Sequence, residues 1–211
     1  MKKIFLLFSF ILCTGLLQAQ DAKSLFKKMP DSVLPLLTEV NRADFMDFLD
    51  SNMKAEVKNK MDGTSEMTAL TSDYIHIRMS ELSSWEMKVL TLSDGKKIIC
   101  TVNTSCAPVC DSRINFFSPE WQAFSSSGFI TLPVKDDFFR KPEASELYDY
   151  GMLQEKADML LMKAELSKDD DSLTFTFTTP QYMVKEDAEK LEKFMHTLRY
   201  QWDGQRFKRM S

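Results

Sequence analysis

The amino-acid sequence predicts an α+β protein. Amphipathic helices near the N-terminus pack on an antiparallel meander, and a second, smaller antiparallel hairpin-helix-hairpin module follows. Three observations carry this. Apolar residues recur at three- and four-residue spacing through residues 24–53, the period of a helix with one buried face. Beyond them the period falls to two, as in half-buried strands. Asp-Gly pairs at Asp62-Gly63, Asp94-Gly95 and Asp203-Gly204 each separate two short runs, a strong short-range sign of a hairpin.

In order along the chain, "SLFKKMPDSVLPLLTEVNRADFMDFLDSNM" places Leu25, Phe26 and Met29 before Pro30, then Val33, Leu36, Leu37 and Val40, then Phe45, Phe48 and Leu49. Asp44, Asp47 and Asp50 fall on the opposing side. Pro30 lacks an amide hydrogen and should split the segment, giving two or three short helices. "AEVKNKMDGTSEMTAL" reads as a hairpin. In "YIHIRMS", Ile75, Ile77 and Met79 face one way and Tyr74, His76 and Arg78 the other. "WEMKVLTLSDGKKIICTV" is a second hairpin, and "RINFF" follows the cysteine-bearing loop. These runs make a five- or six-stranded antiparallel meander with helices over one face.

Residues 119–150, with Pro119, Pro133, Pro142 and a serine tract, read as a connection holding one short strand at 129–133. In "KADMLLMKAELSKDDDSLTFTFTT", Leu173, Phe175 and Phe177 alternate with polar residues in the second strand of a hairpin. Val184, Ala188, Leu191, Met195 and Leu198 then recur at helical spacing, and "LRYQWDGQRFKRM" closes with the third Asp-Gly hairpin. The expected divisions are residues 20–118, the connection 119–150, and a module over 151–211. One continuous domain is the alternative.

The first 19 residues suggest the compartment. Lys2 and Lys3 precede an apolar run over residues 4–17, shorter than the ~20 residues that span a bilayer, and small Ala19 stands at a cleavage position. A secretory signal peptide cut between Ala19 and Gln20 is expected, with the product periplasmic, on the cell surface or extracellular. A lipid anchor at Cys13 is disfavoured, because Phe10, Ile11 and Leu12 precede it where a small residue is required. Cleavage removes two lysines and no acid, moving the formal charge from −4 to −6. That mild acidity argues against a nucleic-acid partner, which calls for a clustered basic surface. No second apolar run approaches membrane-spanning length.

Of four cysteines, Cys100, Cys106 and Cys110 lie close together in "IICTVNTSCAPVCDSRINFF". An export compartment favours disulfides. Cys106 and Cys110 flank "APV", with Pro108 helping the reversal, and are expected to be bridged. If they face each other across a hairpin, Cys100 opposes Phe116, Val102 opposes Ile114 and Asn103 opposes Arg113. Cys100 then joins Ile98 and Val102 in the core as a small hydrophobe. A register two residues away would preserve the same faces. No C-x-x-C redox motif or paired zinc spacing is present, so a structural staple is favoured over a reactive thiol or metal ligand.

The start ending in "AQ", the stretch "LLTEVNRADFMDFLDSNMKAEVKNKMDGTSEMTALTSDYIHIRMS", the "CDSRINFF" hairpin and the following Trp121 resemble a family of exported Bacteroidales proteins of unknown function. The resemblance covers most of the chain beyond the leader. It implies a Gram-negative gut or oral anaerobe as source. It implies no activity and carries no functional residue.

Signs of catalysis are sparse. His76 and His196 are the only histidines, one on the polar side of a strand and one near a helix end. "SSSGF" lacks the G-x-S-x-G elbow that exposes a nucleophilic serine. Asp44, Asp47 and Asp50 read as a solvated stripe, not a calcium loop, and "KDDDS" as a turn. Six glycines form no phosphate-cradling loop. No cofactor, metal set or catalytic set is expected. The reading is a non-enzymatic exported protein that binds a protein, peptide or glycan through a sheet face or hairpin loops. The bridged tip, Ala107, Pro108 and Val109, is the candidate binding loop. The alternative is a secreted hydrolase with scattered catalytic residues, His76 among them.

Overall fold

The computed structural model describes residues 21–210, so the leader and Cys13 lie outside the described residues. Helix α1 (Ala22–Lys27) begins where the Asp21 carboxylate accepts the Ser24 amide hydrogen at 2.7 Å, and it buries Ala22, Leu25 and Phe26. A turn-rich segment follows Pro30. Helix α2 (Glu39–Asp50) starts at a reciprocal cap: Thr38 accepts from the Asn41 amide, and the Asn41 side chain accepts from the Thr38 amide, both at 3.1 Å. That cap sets the phase of α2. Arg42, Phe45 and Met46 turn inward, while Val40, expected in the apolar stripe, is 66% exposed.

Strands β1 (Glu56–Lys58), β2 (Thr64–Leu70), β3 (Tyr74–Ser80), β4 (Ser83–Thr91), β5 (Lys97–Cys106), β6 (Cys110–Phe117) and β7 (Ala123–Phe124) form one antiparallel sheet in chain order. The meander therefore has seven strands, where five or six were expected. The extra edge is the two-residue β7, too short to show a period. Helix α3 (Leu147–Lys156) follows, then β8 (Met162–Leu166), β9 (Ser172–Phe177), helix α4 (Lys185–Glu192), β10 (Leu198–Trp202) and β11 (Phe207–Arg209). The second sheet runs β11-β10-β9-β8. The chain is α+β, and mostly sheet.

Three local expectations are corrected. Residues 129–133 form no strand; Phe129 offers its carbonyl to the Phe207 amide at 2.7 Å, and Pro133 cannot donate to a ladder. Helix α3 lies where the sequence predicts no helix: it buries only Leu153 and exposes Leu147, Tyr148 and Met152, so its sequence shows no stripe. Helix α4 ends at Glu192, ahead of Met195 and Leu198. Met195 bridges Phe139 and Leu198 opens β10, while Val184 is 71% exposed at the helix start.

Alternate residues of the large sheet serve two cores. Trp85, Met87 and Val89 of β4, with Ile75, Ile77 and Met79 of β3, lie beneath the N-terminal helices, where the Phe26 ring is 5.6 Å from Trp85 and 6.5 Å from Phe45. Leu90, Ile98, Cys100, Val102, Ile114 and Phe116 face the second sheet and share a core with Leu173, Phe175, Phe177, Leu198, Tyr200 and Trp202. The large sheet is thus covered on both faces, and "WEMKVL" reads as a nearly unbroken buried run instead of a clean alternation.

An edge strand leaves amide hydrogens unpaired, and β8 lies at an edge. Its donors are met by side chains of the first sheet. The Met162 amide donates to Asp111 Oδ1 at 3.2 Å, Ala164 to Ser112 Oγ at 2.9 Å, and Leu166 to Glu86 Oε2 at 2.7 Å. Lys88, 2% exposed, adds a tie from β4 to Asp73 at 2.9 Å and Asp171 at 3.8 Å. At the far end the Ser93 amide donates to the Gly204 carbonyl at 2.8 Å. Gly204 has φ of 90°, and a Cβ there would lie 2.6 Å from Ser93 Oγ, so this contact between two turns needs glycine.

Candidate functional site

The β5–β6 hairpin carries the residues that matter. Its ladder pairs Cys100 with Phe116, Val102 with Ile114, Asn103 with Arg113 and Cys106 with Cys110, the register expected from the sequence. Cys106 and Cys110 are joined by a disulfide, with Cα atoms 3.8 Å apart. Cys100 is a buried free thiol, and burial beside Glu86 pushes its pKa up, opposite to what a nucleophile needs. The tip is tied down on both sides. The Cys106 amide donates to the Leu82 carbonyl at 2.8 Å, and the Thr178 hydroxyl to the Cys110 carbonyl at 2.6 Å. Ala107 and Pro108 are exposed, while Val109 is buried.

Period two assigns β5 and β6 residues to opposite faces. Val102, Ile114 and Phe116 enter the core between the sheets, so Asn103, Arg113, Asn115 and Phe117 lie on the face that the helices cover over β3 and β4. The helical layer stops short of this corner. What remains is a groove of about 450 Å³ lined by those four residues, by Ser32 and Val33 from the turn after Pro30, and by Trp121 and Ala123.

One wall is held rigidly. Trp121 sits in a tight turn at φ 62°, in which its amide donates to the Ser118 carbonyl at 2.9 Å. Its indole Nε1 donates to the Leu25 carbonyl of α1 at 3.0 Å, and its ring centroid is 5.4 Å from that of Phe117. The floor is polar and bonds no other part of the fold among the described residues. Arg113 is exposed, and among the described residues it has neither ion pair nor side-chain hydrogen bond. Arg42, Arg78, Arg140, Arg199, Arg206 and Arg209 all have a side-chain partner. The half-buried carboxamides of Asn103 and Asn115 are likewise free of partners among the described residues. A guanidinium, two amides and an aromatic ring thus line one concave surface, offering donors and acceptors that the fold does not use.

Two further hollows flank β11, one of about 380 Å³ and one of about 720 Å³. Three of their cations have an acidic partner: Arg209 with Asp137 at 2.7 Å, Arg199 with Asp170 at 2.5 Å, and Lys208 with Asp203 at 2.7 Å; among the described residues Arg206 has only the Thr131 hydroxyl, at 2.7 Å.

The histidines fare poorly as catalysts. His76 Nδ1 meets the Thr68 hydroxyl, and Glu86 lies opposite His76 across the β3–β4 ladder. Glu86 Oε2 accepts from the Leu166 amide, and no hydrogen bond joins Glu86 to His76 among the described residues. Burial, helped by Lys163, pulls the His76 pKa down. His196 is exposed. Asp50 of the acidic stripe is held by Lys23 at 2.7 Å, and Asp170 of "KDDDS" accepts from the Ser172 amide at 3.0 Å within its own turn. The groove itself escaped sequence reading. The available signal was that Thr101, Asn103, Ser105, Asp111, Arg113 and Asn115 make one face of the β5–β6 hairpin polar.

A family model described as protein of unknown function (DUF3256) matches residues 15–207. The chain belongs to that family. A solved DUF3256-like fold is the domain of an uncharacterized protein from Porphyromonas gingivalis W83. It superposes with a TM-score of 0.77 at 28% identity, over 89% of this chain and 96% of that one. No curated protein matches the chain. Membership of an unknown-function family with a Bacteroidales neighbour agrees with the resemblance stated above.

Proposed function

We propose that this DUF3256 protein is an exported, non-enzymatic binding protein whose ligand lies in the groove floored by Asn103, Arg113, Asn115 and Phe117. The observation that carries the reading is the set of unengaged polar side chains on a rigid hairpin. These groups are open to water in the free protein, and a ligand with matching donors and acceptors can take the place of that water. Preorganisation supports the same reading. The Cys106–Cys110 bridge closes the hairpin end, and Trp121 fixes the wall, so little ordering would remain when a ligand arrives. The exposed tip residues Ala107 and Pro108 lie just past the Cys106–Cys110 pair, which is itself three ladder positions beyond Asn103–Arg113, where they can extend the contact surface. The leader expected from the sequence supports export, and the disulfide is compatible with it.

The test is amide chemical-shift mapping of the labelled protein against a panel of envelope peptides and oligosaccharides. Perturbations should cluster at residues 103, 113, 115, 117 and 121, with the ligand recovered unchanged. Shifts centred elsewhere, or turnover of any panel member, would sink the proposal.

A further inference from the structure

We infer that the groove takes an acidic glycan, seating the carboxylate of one sugar residue on Arg113. This rests on the groove being the binding surface. Arg113 is the starting point, an exposed guanidinium with no counter-charge among the described residues, on a protein of formal charge −4. General attraction on such a chain disfavours anions, so an anionic ligand must be held by local geometry. A guanidinium presents a planar fork that meets a carboxylate through two parallel hydrogen bonds.

The neighbours of Arg113 suit a sugar better than a peptide. Residues 113, 115 and 117 share one face of β6 and rise at about 6.6 Å per pair, a step on the scale of a sugar ring. Asn103 lies directly across the ladder from Arg113, so two carboxamides flank the guanidinium. Each amide both donates and accepts, which matches the hydroxyls of a sugar. Phe117, backed by Trp121 with centroids 5.4 Å apart, supplies an apolar platform at one end. An extended peptide, by contrast, is captured by the free backbone groups of a sheet edge. The groove lies on a face of the β5–β6 pair, whose backbones bond each other along residues 99–106 and 110–117, and its lining there is side chains; the sheet edge, β6 residues 110–115 beyond the short β7, runs beside it. Its volume of about 450 Å³ lies within the range of small-ligand sites, roughly 300–1,000 Å³.

The experiment is calorimetric titration of the purified protein with galacturonate, glucuronate and sialic-acid-terminated oligosaccharides. Each is run beside its carboxyl-reduced counterpart, and a glutamate-rich peptide serves as an acidic non-sugar. At least one acidic oligosaccharide should bind, its reduced form roughly tenfold or more weaker, and affinity should fall as salt rises. Arg113→Gln should abolish the preference for the acid over the reduced form. Arg113→Lys, which keeps the charge but not the fork, should restore only part of it. Both variants should melt like the parent, because Arg113 is exposed. Equal binding of acidic and reduced sugars, or Arg113-dependent binding of the glutamate peptide, overturns the glycan-carboxylate assignment while leaving the groove as the surface. Binding that survives Arg113→Gln unchanged overturns it too, as does failure of every acidic sugar to bind.

Discussion

Glu86 of β4, 7% exposed, accepts the Leu166 amide hydrogen of β8 at 2.7 Å, joining the two sheets through one buried carboxylate. It completes a series with Asp111 and Ser112, which meet the other inward donors of the same edge strand. Burial pushes the Glu86 pKa from 4.5 to about 7, and the Leu166 bond offsets only part of that rise. His76 of β3 lies opposite Glu86, Lys88 shares its face of β4, and the charges of Lys163 and Glu165 on β8 act on it in opposite senses.

The pH dependence follows from these groups. Because the folded-state pKa is raised, the folded protein keeps a proton that the unfolded chain has released between pH 4.5 and about 7. The stabilisation is therefore full below 4.5 and lost as pH rises to about 7, on the order of 3 kcal/mol in all. His76, with a lowered pKa, acts in the opposite sense, losing stability as pH falls below its unfolded value. Denaturant titrations across this range should show the Glu86 slope in the parent. In Glu86→Gln, which keeps the acceptor, the residual slope should take the sign set by His76. An unchanged slope would place the titrating group elsewhere.

Thiol chemistry tests the hairpin. Peptide mapping without reduction should yield a 106–110 link, and Cys100, fully buried, should react with a thiol reagent only after unfolding. Replacing both bridged cysteines with serine should cost less than the ~3 kcal/mol of a fifteen-residue loop, since this loop is far shorter. Rapid native labelling of Cys100 would contradict its position in the core.

Arg42 should act as a clamp on the segment between the N-terminal helices. It is 2% exposed and donates to the carbonyls of Leu37 at 3.0 Å and Met29, besides pairing with Asp31 at 2.9 Å. Arg42→Met fills similar space but strands both carbonyls, for a loss of about 2 to 4 kcal/mol. Asp31→Asn should matter far less, because Asp31 is 46% exposed and stays hydrated. Equal effects in the two variants, read from melting curves, would shift the weight from the carbonyls to the ion pair.

Leu191 tests the second layer. It is fully buried on α4 within the core shared by both sheets, so Leu191→Ala should cost ~2 to 5 kcal/mol. If the two sheets unfold together, the transition should remain single and shift as a whole. A second transition appearing in the variant would show that the sheets melt separately.

The sequence by itself determined what depends on neighbours in the chain. Asp-Gly turns fixed three hairpins, because left-handed backbone is tolerated at so few residue types. Alternation in "YIHIRMS" placed Ile75, Ile77 and Met79 inward, and the short "CAPVC" spacing pointed to the bridge and to one of two face-preserving registers, the one the structure shows over eight residue pairs. Tertiary structure decided the rest. Helix α3 has almost no buried face, so no periodicity announced it, and Val40 looked apolar-facing until the Thr38 cap set the phase of α2. The covering of both sheet faces was hidden because burial on the second face comes from residues some 80 positions away, as Glu86 and Leu166 show. The groove was hidden for the same reason. Asn103, Arg113 and Asn115 could be assigned to one face of a hairpin, but whether a helix would cover that face depended on where α1 and α2 stop.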